Sequence, residues 1–356
     1  MSEIPTAEGE ILISERGARP ASEVPVTGHK SVLRILFQRP WVRAVAPLCF
    51  VLIIGAVFNA QGTFYKWGTH RDMLRQVSVY GILACGMTLV IVTAGIDLAV
   101  GSILGVCAVI FSIFSIHLGW SAWAAIPIVI LAGATCGLLS GGMIARFRMQ
   151  PFIATLAVMV FARGLAKWVS GGQKISCAVL NPDGSYKYVE LPRIFSAIDH
   201  KILGDNIAVV TLIFLACVGL CWVLLARLRW GRYLYATGGN EEAARLSGIP
   251  THGVKLLAYV MSGLLSAVAG ICQAVQEQQG DPEAGSTYEL SAIAIVVMGG
   301  TSLNGGRGGM LFTLVGAMTI GYLEKILSIN AVGEASRLML TGSIIVAAVL
   351  FQRVRK

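Results

Sequence analysis

The sequence predicts an all-α polytopic membrane protein of about ten transmembrane helices, one of them short or broken, with a short capped helix in a cytoplasmic loop. Three observations predict it. The 356 residues are 55% hydrophobic and only 13% charged, against roughly 25% charged in a soluble domain. Ten apolar runs approach the ~20 residues a helix needs to cross a bilayer. The 28 Lys and Arg gather in alternate connecting segments, the pattern by which bases mark the cytoplasmic side. The net charge of +9 is therefore a topological signal and does not point to nucleic acid.

Taken in order, residues 1–40 read as a disordered cytoplasmic tail, with Pro5, Pro20 and Pro25 among acids and small residues. Lys30, Arg34, Arg39 and Arg43 precede the first apolar run and place the N-terminus in the cytoplasm. A membrane domain then fills residues 41–356. Its runs are Trp41–Phe58, Met73–Thr93, Ala99–Ile116, Trp123–Ala145, Pro151–Val169, Ile207–Ala226, Lys255–Val275, Tyr288–Thr301, Met310–Leu327 and Ser336–Phe351. The eighth is too short for a full span and reads as a half-helix or a broken one. Counting from an inside N-terminus, Arg146, Arg148, Arg227, Arg229, Arg232, Arg245, Lys255 and Arg307 fall inside, as do Arg353, Arg355 and Lys356 at the C-terminus. Residues 227–254 become a cytoplasmic loop. Residues 171–206 become an external one, with Pro182-Asp183-Gly184 as a tight turn, able to pack over the outer mouth or meet an external partner. Glu277–Thr287 also falls outside, and so does Asn59–Asp72, against its Lys66 and Arg71.

Within the runs, Gly133, Gly137 and Gly141 lie four apart on one helix face. Small residues at that spacing let backbones approach closely, either inside one bundle or at a subunit interface. Asp97 sits in GIDLAVGS between two runs. A carboxylate there reads as a cap on the helix beginning at Leu98, or as part of a polar pathway, because a charge at bilayer depth is expensive. Glu289 opens the short eighth run and reads as a cap. Arg163 and Lys167, one turn apart, either snorkel to headgroups or line a polar path. Asp97, Arg163, Glu289, Thr301 and Ser302 are the candidates for that path.

The most informative stretch is Gly231–Ile249, GRYLYATGGNEEAARLSGI, polar and set between two apolar runs. Gly238-Gly239-Asn240 is a turn signal. Glu241 to Leu246 are strong helix formers, with acids in the first turn and a base after them. Gly248 and Pro250 stop the helix. The expected product is a rigid cytoplasmic handle that a soluble partner can hold.

Catalysis has no visible seat. The phosphate-binding pattern G-x-x-x-x-G-K-[ST] is absent, five His and eight Cys show no metal spacing, and no nucleophile–base pair stands out. Val169-Ser170-Gly171-Gly172-Gln173 is similar to an ATPase signature loop, but no phosphate cradle accompanies it. The glycine-rich Gly299–Gly309 has no βαβ surroundings and reads as a flexible turn beside the handle. Gly95–Gly101 and Gly300–Gly306 share G-x-x-L-x-x-G, an echo that chance explains as well as an internal repeat.

Four stretches in order carry a resemblance: GMTLVIVTAGIDLAVGS (Gly86–Ser102), MQPFIATLAVMVFARGLA (Met149–Ala166), GRYLYATGGNEEAARLSGI (Gly231–Ile249) and YELSAIAIVVMGGTSLNGGRGG (Tyr288–Gly309). From about Val45 to its end, the chain resembles the permease subunits of bacterial ABC importers for monosaccharides, of the ribose, xylose, arabinose and galactoside type, which are related to the branched-chain amino-acid permeases. The resemblance implies a multi-pass protein of the inner membrane, two copies forming the pore. It implies a separate ABC ATPase that binds the ATP and grips a cytoplasmic coupling helix through Gly238, Gly239, Asn240, Glu241, Ala243, Ala244 and Gly248. It further implies a periplasmic sugar-binding protein at the outer mouth, and no enzyme activity, metal or cofactor on this chain. Two alternatives stay open on the residues alone: a permease for another small solute such as a polyol or amino acid, and an ion-coupled secondary carrier.

Overall fold

The computed structural model describes residues 40–180, 185–333, 335–340 and 342–343. The expected N-terminal tail, most of the tenth run and the Pro182-Asp183-Gly184 turn lie outside them. The helices in order are α1 (Pro40–Val57), α2 (Trp67–Val92), α3 (Val100–Ser112), α4 (Ala122–Arg146), α5 (Pro151–Ser170), α6 (Arg193–Asp199), α7 (Val209–Ala226), α8 (Arg229–Gly239), α9 (Glu241–Leu246), α10 (Thr251–Glu277), α11 (Tyr288–Met298) and α12 (Met310–Ile329). A π-turn, Ile113–His117, lengthens α3. Among the described residues seven helices are long and apolar enough to cross a membrane, and Ala44–Val57 and Tyr288–Met298 are shorter apolar helices. Each span satisfies its own backbone N–H and C=O groups, which is why apolar runs of this length become helices.

Burial sorts the spans. α2 is 83% buried within its most apolar stretch, whereas α4 and α5 are each 28% buried. α2, α3 and α10 therefore form the core. α4 packs on α10, α5 on α3, α7 and α12 on α2, and α1 on α12. The glycine stripe of α4 faces α10 of the same chain. A Cβ on Gly137 would stand 2.3 Å from the Tyr259 carbonyl oxygen, and one on Gly263 of α10 would stand 2.2 Å from that of Gly133. Only residues without a side chain let these two backbones meet.

The second run starts earlier than its hydropathy suggests. α2 begins at Trp67 and so takes in Arg71, Asp72 and Arg75. Trp67, Arg71 and Arg75 are held by a folded cap within residues 171–208, whose described residues include two short antiparallel strand pairs and α6. Arg75 Nε and Nη2 donate to Asp199 Oδ1 at 2.9 and 2.5 Å. Trp67 Nε1 donates to Asn206 Oδ1 at 2.7 Å, and Phe195 stacks on Phe111 of α3 at 5.4 Å. Polar residues extend the helix past its apolar run because the cap supplies partners for them. The end of the bundle under this cap is the capped end; the end bearing α8 and α9 is the handle end.

Candidate functional site: a half-helix cleft and a keyed handle

At the capped end, α10 stops where Gln278 adopts the left-handed conformation, φ 53°. The chain then turns back along α3 instead of leaving the bundle. Gly280 makes a two-way backbone bridge to Ile175 of the cap at 2.8 Å. Lys174 pairs with Asp281 at 2.9 Å and Lys167 with Glu283 at 2.6 Å. Arg163 of α5 donates to the Pro282 and Ala284 carbonyls, the latter at 2.9 Å. Gly285 comes to rest against Gly101, at the start of α3. α11 therefore begins beside the first turn of α3 and runs for 11 residues. Half-helices that start inside a bundle are where transporters place polar sites.

Beside this start lies a cleft of about 410 Å³, lined by Ser102, Met159, Arg163, Lys167, Thr287 and Glu289, among others. It is mostly apolar in its walls and holds two cations and one carboxylate at its rim. Arg163 lines it while its guanidinium holds the return segment, a role unlike either snorkelling or simple lining.

The other expected path residues lie elsewhere. Asp97 is fully buried. Its Oδ1 accepts from the Ala99 N–H at 3.0 Å and its Oδ2 from Ser262 Oγ of α10 at 2.7 Å. α3 begins at Val100 and not at Leu98, and its N-cap, Ala99, has no side chain that could cap it. Asp97 thus accepts from a backbone N–H just before the helix, as a capping carboxylate would, and in addition joins this turn to α10. Thr301 and Ser302 lie in the loop at the handle end, where the Ser302 N–H donates to the Arg307 carbonyl at 2.9 Å.

At that end the sequence reading needs one correction. Gly238 and Gly239 do not form a turn: they are the last residues of α8, an 11-residue helix that precedes the handle. Gly231, Leu234, Thr237 and Gly238 are its buried residues, an i, i+3, i+6, i+7 spacing that could have revealed it. Gly238 is needed for close approach, since a Cβ there would stand 1.8 Å from the Val92 carbonyl oxygen. Asn240, extended at φ −160°, breaks the helix and caps the next, its Oδ1 accepting from the Ala243 N–H at 3.0 Å. α9 follows as six residues, with Glu242 and Arg245 paired at 2.6 Å, and ends where Gly248 takes φ +80°. Ala243 is exposed, but Ala244 is buried against the chain's own surface.

Three contacts tie this end together, one from α9, one from α8 and one between the glycine-rich loop and the end of α2. Glu241 pairs with Lys255 of α10 at 2.6 Å. The Tyr235 hydroxyl donates to the Gly308 carbonyl at 3.0 Å. The Gly306 N–H donates to the Val92 carbonyl at 2.9 Å, under Gly238. A groove of about 390 Å³ separates α9 from the α4–α5 turn, with Arg148, Gln150, Glu241, Glu242 and His252 in its walls. α9 thus meets α10 through an ion pair, and the end of α8 meets the end of α2 through backbone contact.

With this geometry in place, comparison with known proteins is informative. Residues 71–349 match the family described as branched-chain amino acid transport system / permease component. The chain is 35% identical to the ribose import permease protein RbsC of Escherichia coli (strain K12), over 89% of this chain and 96% of that one. It is 40% identical to the ribose import permease protein RbsC of Bacillus subtilis (strain 168), over 86% and 90%. Against the fructose import permease protein FrcC of Rhizobium meliloti it is 32% identical, over 88% and 84%. No solved structure matches the chain.

Proposed function

The chain belongs to the branched-chain amino acid transport system / permease component family, and we propose that it is the membrane-spanning subunit of an ATP-driven importer of a monosaccharide. The observation that carries this reading is similarity to ribose and fructose import permeases over nearly their whole length. The geometry supports it in kind: a multi-pass bundle, a cleft at a half-helix, and a short helix keyed into the core at the opposite end.

In this reading the handle is the coupling helix and faces the cytoplasm, where Arg227, Arg229, Arg232 and Arg245 gather. A separate ABC ATPase binds the ATP, and this chain takes no cofactor. The capped end faces the periplasm and receives a sugar-binding protein. A second copy completes the pore in the inner membrane, with both termini cytoplasmic. Closure of the ATPase displaces α9. Because α9 is short, held to α10 by Glu241 and continuous with α8, the displacement reaches α10 and α2, whose two arrangements open the cleft to one side or the other.

The test is uptake into proteoliposomes containing this chain, its ATPase and its binding protein, supplied with radiolabelled ribose, xylose or fructose. ATP-dependent accumulation of at least one is expected. Uptake driven by a proton or sodium gradient with no ATPase present would overturn the reading.

A further inference from the structure

α2, α10, α11 and α12 bring five polar side chains together at the capped end of the bundle, four of them buried or half-buried and Glu277 exposed, apart from the cleft and the handle. Gln273 Nε2 donates to Glu277 Oε1 at 2.5 Å and lies 3.4 Å from the Tyr288 hydroxyl. The rings of Tyr80 and Tyr288 have centroids 4.4 Å apart and planes 46° apart. Glu324 of α12 stands within electrostatic reach of both hydroxyls. Among the described residues no hydrogen bond and no ion pair within 4 Å holds its carboxylate, although the positive charge of Arg337 lies within electrostatic reach of it. Gln273 is buried, while Tyr80, Tyr288 and Glu324 are each half-buried and so keep an open side.

A carboxylate in a span without a direct hydrogen bond is expensive. Its neighbours indicate what it serves. Two carboxylates accept hydrogen bonds, two phenols both donate and accept, and an amide does both. Two aromatic rings offer apolar faces beside them. A cation would leave the amide and the rings without a task, and an anion would be repelled. The array suits a neutral ring bearing several hydroxyls, which donates to Glu277 and Glu324, accepts from Tyr80, Tyr288 and Gln273, and rests its C–H face on a tyrosine. The position agrees: Tyr288 and the cleft-lining Glu289 are consecutive in the first turn of α11.

Resting on the importer reading, we propose that Tyr80, Gln273, Glu277, Tyr288 and Glu324 form a monosaccharide contact site on the translocation route. The site gives the permease a sugar preference of its own, in addition to that of the delivering protein.

The complete importer, supplied with ATP and a transported sugar carrying a diazirine, is illuminated and digested. Label on the peptides carrying Tyr80, Tyr288 or Glu324, displaced by excess unmodified sugar, is expected. Label found only elsewhere, or indifferent to the competitor, overturns the site and leaves the importer standing. Absence of ATP-driven uptake of any pentose or hexose by the unaltered chain overturns the importer reading, and the site with it. In a second arm, Glu324→Gln and Tyr80→Phe are each expected to lower uptake about tenfold at saturating binding protein. Removal of one sugar hydroxyl should then cost the affected variant less than it costs the parent. Equal losses in parent and variants for every deoxy sugar overturn the proposal, as does a sodium requirement that Glu324→Gln abolishes, which would mark a cation site.

Discussion

Ser262 of α10 donates its hydroxyl to Asp97 Oδ2 at 2.7 Å, across 165 positions of sequence, and both residues are fully buried. This bond fixes the turn before α3 to the middle of the core. Ser262→Ala leaves one carboxylate oxygen without a partner, and a buried polar group so stranded costs about 1–3 kcal/mol. A lower melting temperature of the purified protein is expected, larger than for Ser196→Ala, whose residue is exposed and bonds only its own helix. Equal shifts for the two variants would refute the assignment.

The α4–α10 contact predicts an asymmetric glycine scan. Gly137→Ala and Gly133→Ala force apart backbones that already touch, and overpacking of this kind costs on the order of 1–3 kcal/mol. Gly142, on the same helix with nothing within 4 Å of its would-be Cβ, should accept Ala without loss. Thermal unfolding followed by size-exclusion chromatography separates the two classes.

At the handle the two adjacent glycines should behave differently. Gly238→Ala places a methyl against the Val92 carbonyl and should reduce ATP-driven uptake at least tenfold. Gly239→Ala meets nothing of its own chain within 4 Å and should leave folding and insertion at the parental level, so that any loss of uptake in it reports contact with the ATPase. Asn240→Ala removes the cap of α9, a loss of about 1 kcal/mol, and is expected to give an intermediate decrease. Uptake assays with insertion verified by gel filtration read all three.

Acid should loosen the return segment. Burial alone would raise the Asp281 carboxyl, but hydrogen bonds from Lys174 and the Glu283 N–H, together with the positive charges of Lys174 and Arg163, leave it below the usual carboxylate range. A depressed folded value means that the stabilisation is complete above the unfolded pKa, about 3.9 for Asp, and is lost as pH falls through the folded value. Hydrogen exchange in residues 278–287 should therefore accelerate below about pH 4, after correction for intrinsic rates. Asp281→Asn should show the faster exchange already at neutral pH.

By itself the sequence determined the class, seven of the ten expected spans and the family. Hydropathy is a local quantity, and a chain in lipid must satisfy its backbone bonds span by span, so Pro151–Ser170 or Met310–Ile329 is readable from its own residues. The short helix Glu241–Leu246 was equally legible, because its cap at Asn240 and its stop at Gly248 lie within a few residues of it. Only the tertiary structure decided which distant groups meet. It turned Gly238 from a turn residue into a helix residue pressed on Val92, and set Ser262 against Asp97. It also returned the chain after Gln278 into the bundle, where Arg163 holds it. Such contacts join residues more than a hundred positions apart. Their energy depends on the fit of whole helices against one another, a quantity that no local pattern of residues contains.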